Sequence, residues 1–150
     1  MLHGLEMGIM EKMVEKKFMP KQHLSKRERE KIIEKLKTYF SKNKQVVFAY
    51  ILGSFSEKKP FRDIDIAIYF YEPKEELTLE SDLSFELSKE TGYPVEVIVL
   101  NKAPVSFQLS VLKKGTLLVS KSEDMRTDFI DDVGRRYREY SHFRNLALEA

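Results

Sequence analysis

Asp63 and Asp65 stand two residues apart at the start of a stretch, Ile64 to Phe70, in which apolar residues alternate with others. In a strand that spacing sends both carboxylates out of one face, while Ile64, Ile66 and Ile68 take the other. A third acid, Glu96, interrupts the alternation of Val95, Val97 and Val99 near the start of another strand, on the face opposite those valines. Acids are depleted in strands, and three carboxylates on one sheet surface repel unless something compensates. A divalent cation does so most simply: Mg²⁺ favours hard oxygen ligands and is commonly held by one or two carboxylates plus substrate phosphates. Two such ions about 3.5–4 Å apart can clamp the attacking and leaving oxygens of an in-line phosphoryl displacement. Gly53-Ser54 completes such a site. It follows a buried apolar run, where glycine lets the backbone approach a ligand closely, a helical first turn offers N–H groups to an anion, and Ser54 adds a hydroxyl. Taken singly, Asp63 and Asp65 also fit a strand-entry turn whose carboxylates cap backbone amides. Glu96 also fits an edge-strand charge that discourages aggregation. The ordered set is what points to phosphoryl chemistry.

The elements that must position these residues are legible in the periodicity. Ser25-Lys26-Arg27-Glu28 has the form of a capping box. Ile32, Ile33, Leu36 and Phe40 continue it as a helical stripe, predicting a helix over 25–41. Val46 to Leu52 is a continuous apolar run that predicts a strand buried on both faces. The connection 53–62 is too short for a parallel crossover, so the first two strands are expected to be antiparallel. Leu79, Leu83 and Leu87 predict a helix over 77–91, stopped by Gly92. A third strand carries Val95, Val97 and Val99. Pro104 opens a helix bearing Val105, Leu109 and Leu112 that stops at Gly115, and Thr116 to Val119 make a short strand. Ser122 caps a last long helix with Met125, Phe129, Val133, Tyr137 and Tyr140. The expected fold is α/β (α+β): a mixed sheet of about four strands with helices packed on it. Residues 1–24 read as an N-terminal extension or helix, from the spacing of Leu2, Leu5, Ile9 and Met13, and residues 25–150 as the domain.

Composition excludes several classes. The 150 residues contain no cysteine, so disulfides, thiolate zinc sites and thiol nucleophiles are absent, and the 3 histidines form no ligand pair at helical spacing. No apolar run approaches the ~18–20 residues that cross a bilayer. The expectation is a soluble, cytoplasmic protein with no membrane partner. Net charge is +2 but uneven: residues 11–44 hold 12 Lys/Arg against 5 Asp/Glu, and residues 61–100 hold 3 against 10. Lys26, Arg27, Arg29, Lys31 and Lys35 fit either a solvated helix face or a nucleic-acid footprint. Without interleaved aromatics, nucleic acid is not the expected partner.

Leu52-Gly53-Ser54-Phe55, followed by Arg62-Asp63-Ile64-Asp65-Ile66-Ala67-Ile68, resembles the minimal nucleotidyltransferases of the DNA polymerase β superfamily. The segments Val95 to Pro104 and Lys114-Gly115-Thr116-Leu117-Leu118 are similar to theirs too, so the resemblance spans about residues 25–145. It implies the polymerase β-like nucleotidyltransferase fold for the domain at 25–150. It also implies transfer of a nucleoside monophosphate, AMP from ATP, to a hydroxyl, with release of pyrophosphate. It places the metal-binding and catalytic carboxylates on Asp63, Asp65 and Glu96, and the nucleotide-phosphate contacts on Gly53 and Ser54. Implied cofactors are two Mg²⁺ ions, with ATP as substrate. Many minimal members are antitoxins of a HEPN-domain ribonuclease toxin, and some modify a toxin tyrosine with AMP. A HEPN-type partner follows, and self-association stays open.

The sequence departs from the family at two points. Ser56 and Glu57 stand where the family often has a small residue and an arginine, leaving Lys58, Lys59 or Arg62 as replacements for the basic group. Glu96 stands where aspartate is common. The alternative to an enzyme is an antitoxin with a weak or inactive site that neutralises its partner by binding. The stripe Tyr137, Tyr140, Phe143 and Leu146 fits either core or such an interface.

Overall fold

The computed structural model describes residues 21–149; the expectation for residues 1–20 lies outside the described residues. Helix α1, Lys26–Lys42, starts at the foreseen capping box: the Glu28 amide donates to Ser25 Oγ at 3.1 Å and the Ser25 amide to Glu28 Oε1 at 3.4 Å. Strand β1, Val46–Leu52, leads directly into a single turn of helix, α2, Gly53–Ser56, and then strand β2, Ile64–Phe70. Helix α3, Glu76–Thr91, strand β3, Val95–Val99, helix α4, Val105–Lys114, and strand β4, Thr116–Ser120, follow. The last helix, α5, Glu123–Glu149, begins where the Met125 amide donates to Ser122 Oγ at 3.2 Å.

The sheet is mixed, in the order β3-β2-β1-β4. β1 runs antiparallel to β2, as the short connection between them required, and also to β4, while β2 runs parallel to β3. Helices α1 and α3 cover one face: Ile32, Leu36, Phe40, Leu83 and Leu87 pack on Ile64, Ile66, Ile68 and the β3 valines. On the other face Val111, Phe129 and Val133, from α4 and α5, pack on Phe48, Tyr50 and Ala67. β1 is therefore buried on both sides, as expected of a continuous apolar run. β2 is buried more fully than its alternation suggests, because Ala67 meets the second helical layer.

The edge strand β3 is held by a periodic match between helix and strand. Ser88 Oγ accepts from the Val95 amide at 2.9 Å, Ser84 Oγ from the Val97 amide at 2.9 Å, and Glu80 Oε2 from the Val99 amide at 2.8 Å. Four helical residues rise about 6 Å and two strand residues about 6.6 Å, so side chains spaced by four on α3 meet every outward N–H of a strand running the opposite way. These bonds satisfy the edge and fix where Glu96 sits. Removing either serine hydroxyl leaves a buried amide without its acceptor. Ser84→Ala and Ser88→Ala should each cost about 1–3 kcal/mol, read as a lowered midpoint in urea unfolding with an unchanged slope.

Other polar groups tie the far end of the sheet together. The Asn101 side chain bonds both ways with the Phe70 backbone, accepting at 2.9 Å and donating at 2.8 Å, so an amide side chain extends the ladder past β3. Gln108, fully buried, donates to the Leu100 carbonyl at 2.8 Å and accepts from Arg136 at 2.7 Å, linking α4, the end of β3 and α5. Arg136 also binds Asp132 at 2.8 Å, and this hydrogen bond holds the Asp132 carboxyl below the usual carboxylate range.

Beyond Tyr137 the helix α5 leaves the domain. Tyr140, Phe143, Leu146 and Leu148 are 47%, 70%, 53% and 74% exposed, so the outer part of the terminal stripe is surface and not core. Among the described residues no helix is long and apolar enough to cross a membrane.

Candidate active site

Asp63 immediately precedes β2, Asp65 is its second residue, and Glu96 is the second residue of β3. The parallel register pairs Asp65 with Glu96, and the antiparallel register pairs Asp65 with Leu52, the last residue of β1. Asp65 thus sits in the middle of three strand ends, one residue across from the Gly53 turn. Because side chains alternate, Asp63, Asp65 and Glu96 share the face of the sheet that also bears Ala67 and Ile98. The second helical layer packs over Phe48, Tyr50 and Ala67. At the rim Asp63 and Asp65 stay half-buried and Glu96 exposed.

The three acids come together as their spacing predicts. Each offers one carboxylate oxygen, and these oxygens lie within 4.8 Å of one another. An octahedral Mg²⁺ with bonds of about 2.0–2.1 Å places its ligand oxygens roughly 3–4 Å apart, so this donor set suits one hard cation or a closely spaced pair. All three donors are oxygens, which matches magnesium or manganese and not a soft-metal site.

Gly53 is required at its position for two reasons. Its φ of +70° lies in the left-handed region, and a Cβ there would stand 3.1 Å from Asp65 Oδ2. A side chain would press on the carboxylate at the centre of the triad. Gly53→Ala should cost about 1–2 kcal/mol for the backbone alone. It should also weaken metal binding about 10–100-fold by displacing Asp65, measured by titrating Mn²⁺ into each protein. The element that follows is short, as expected: α2 is one turn of four residues. Its macrodipole is correspondingly small, so an anion here would meet individual N–H groups and the Ser54 hydroxyl.

What fixes that turn is a residue whose position sequence reasoning misread. Arg29, placed with the solvated basic face of α1, is 9% exposed. Its guanidinium donates to the Phe55 carbonyl at 2.9 Å and the Lys59 carbonyl at 2.6 Å. It also lies over two rings, 4.9 Å from the centre of Phe55 and 5.5 Å from that of Phe61. Lys26, Arg27, Lys31 and Lys35 are exposed, so the basic face survives without its central arginine. From β4, Thr116 holds the turn as well, through a 2.7 Å hydroxyl contact with Ser56.

Of the basic residues considered as replacements at the motif, Lys59 pairs with Glu57 at 3.3 Å on the exposed loop. Lys58 lines a cavity of about 540 Å³ with Ile51 and Phe55, which belong to the α1–α3 side of the sheet. Arg62 is exposed one residue before Asp63. A separate cavity of about 310 Å³ opens on the triad's side, between Gly53, Asp65 and α4.

The polymerase β nucleotidyltransferase model matches residues 34–124, from the middle of α1 to the start of α5, and the chain belongs to that family. Among curated proteins none matches. Solved structures of the same fold include the toxin–antitoxin MntA–HepT, 18% identical over 83% of this chain and 97% of that chain, with a TM-score of 0.60. A toxin–antitoxin crystallised with AMP-PNP is 20% identical over 81% and 95%, TM-score 0.64. A tri-AMPylated Shewanella oneidensis HEPN toxin in complex with MNT antitoxin gives 20% over 81% and 93%, TM-score 0.61. The four-stranded mixed sheet with its packed helices is thus a polymerase β-like nucleotidyltransferase fold, as the motif resemblance implied.

Proposed function

We propose that this chain is a Mg²⁺-dependent nucleotidyltransferase that moves AMP from ATP to a hydroxyl on a partner protein and acts as the antitoxin of a HEPN-type toxin. The observation that carries the proposal is the convergence of the Asp63, Asp65 and Glu96 oxygens within 4.8 Å, beside a glycine turn where a side chain would crowd Asp65. Support for the nucleotide and the acceptor comes from structures of the same fold, one with AMP-PNP and one with an AMPylated HEPN toxin.

In this reading Asp63, Asp65 and Glu96 hold the metal, and Gly53 and Ser54 seat the phosphates. Bound Mg²⁺ would neutralise the triphosphate and align the attacking and leaving oxygens. The acceptor oxygen forms a bond to the α-phosphorus as the bond from that phosphorus to the bridging oxygen breaks. Pyrophosphate leaves with the bond electrons. The acceptor proton passes to a carboxylate at the site, with Glu96, the most exposed of the three, the group open to an incoming hydroxyl. No covalent enzyme intermediate is needed, since positioning and charge neutralisation supply the acceleration.

The test is incubation of the protein with α-labelled ATP, Mg²⁺ and the protein encoded beside it. Label on the partner, dependent on Mg²⁺, is the expected result; absence of label on any acceptor contradicts the enzymatic reading. A second reading, neutralisation by binding with a silent site, is favoured by the exposed apolar end of α5 at Tyr140, Phe143 and Leu146. Full neutralisation by an Asp63→Asn, Asp65→Asn double variant would select it.

A further inference from the structure

The cavity beside the triad has an ordered chemistry. At one end it is lined by Gly53 and Asp65, and it runs along the sheet past Ile98. Its opposite wall is helix α4, which contributes Phe107, Ser110 and Lys114. Those three are spaced by three and four, so they form one face of the helix. Lys114 is the last residue of α4. It adjoins Gly115, where an added Cβ would stand 3.0 Å from Leu52 Cδ2 and 3.2 Å from Tyr50 Cβ. The close approach of Gly115 to β1 holds Lys114 at the Gly53 end of the cavity. Phe107, seven residues earlier and about 10 Å along the helix, marks the other end with Ile98. The cavity thus has a cation and a glycine turn at one end and an aromatic ring with an aliphatic side chain at the other. Its volume, about 310 Å³, is at the lower end of the usual range for small-ligand sites.

Charge supplies an independent reason for a cation there. Glu57 also lines the cavity, in addition to Asp65, so its motif end is acidic where a triphosphate must be received. Lys114 is the basic side chain among the residues that line it.

We propose that α4 forms the nucleoside triphosphate subsite of this chain, with Lys114 contacting the phosphates and Phe107 and Ser110 bounding the nucleoside. The proposal rests on the nucleotidyltransferase reading and goes beyond it by assigning recognition to three residues outside the glycine and acid motifs. A flat ring seated against Phe107 and an anion met by the ammonium of Lys114 are the two contacts it requires.

The experiment is equilibrium titration of the full chain, in Mg²⁺, with a fluorescent non-hydrolysable ATP analogue and separately with inorganic tripolyphosphate. Lys114→Ala should weaken both ligands about 10-fold, a loss near 1.4 kcal/mol, and Lys114→Arg should restore both. Ser110→Tyr, which fills the cavity from an exposed position without disturbing the core, should weaken the nucleotide about 10-fold and leave tripolyphosphate unchanged. Wild-type binding of both ligands with no effect of either variant overturns the subsite and leaves the enzymatic reading standing. Failure of the wild type to bind any nucleotide, with no label transfer, overturns both.

Discussion

Asp65→Asn should lower AMP transfer at least about 100-fold while leaving the fold as stable as before or slightly more so. Asp65 lies between Leu52 on β1 and Glu96 on β3, with its Oδ2 3.1 Å from where a side chain at Gly53 would begin. Asparagine keeps the shape and the contacts of a short side chain but removes one negative charge and one anionic ligand atom. The remaining pair, Asp63 and Glu96, would hold a cation more weakly and in a different place. Because three like charges within 4.8 Å repel one another, removing one should not destabilise the apoprotein. Transfer of label and a thermal melt, measured on the same preparation, separate the two effects. A loss of activity with an unchanged melt is the expected pair, and a loss of both would make Asp65 a structural residue.

Arg29→Met should unfold the protein more readily by about 2–4 kcal/mol, equivalent to roughly 6–12 °C in Tm for a chain of this size. Methionine retains apolar bulk under Phe55 and Phe61 but leaves the carbonyls of Phe55 and Lys59 without their donor. Those carbonyls belong to the turn and loop that begin at Gly53, so transfer should fall along with stability, whereas Asp65→Asn lowers transfer alone. Arg29→Lys should recover little of the loss. A single ammonium cannot reproduce two guanidinium bonds and a planar stack at once. Thermal melts and label transfer on all three proteins check this. Equal stability of wild type and Arg29→Met would mean that the buried guanidinium does not hold the turn.

The parts of this fold that local chemistry dictates were readable from sequence. Ser25 and Ser122 announced helix starts because an N-cap hydroxyl and its amide partner are three residues apart in the chain. The alternation through Ile64, Ile66 and Ile68 identified the core face of β2, and the same period put Asp63 and Asp65 together on the other. Parts that depend on which elements become neighbours were not readable. Ser84 and Ser88 look like polar interruptions of a leucine stripe until β3 is known to be an edge strand lying beside them. Arg29 has the composition of a solvated face, and its burial follows from the path of the 53–61 loop over α1, which no periodicity encodes. Lys114 stood in a segment similar to the family's, yet its place beside the acids depends on Gly115 packing against β1. The end of α5 was ambiguous because the same apolar spacing serves a core or an interface; Phe143 at 70% exposure resolves it as surface.

The proposed activity requires that Asp63, Asp65 and Glu96 together bind a divalent cation. Mn²⁺, which takes the same oxygen ligands and is paramagnetic, tests this without a nucleotide or an acceptor. Titration followed by electron paramagnetic resonance should show the free-ion signal suppressed by the wild-type chain, with competition by Mg²⁺ and loss of suppression in Asp65→Asn. Equal Mn²⁺ signals for buffer, wild type and variant would contradict the account at its foundation.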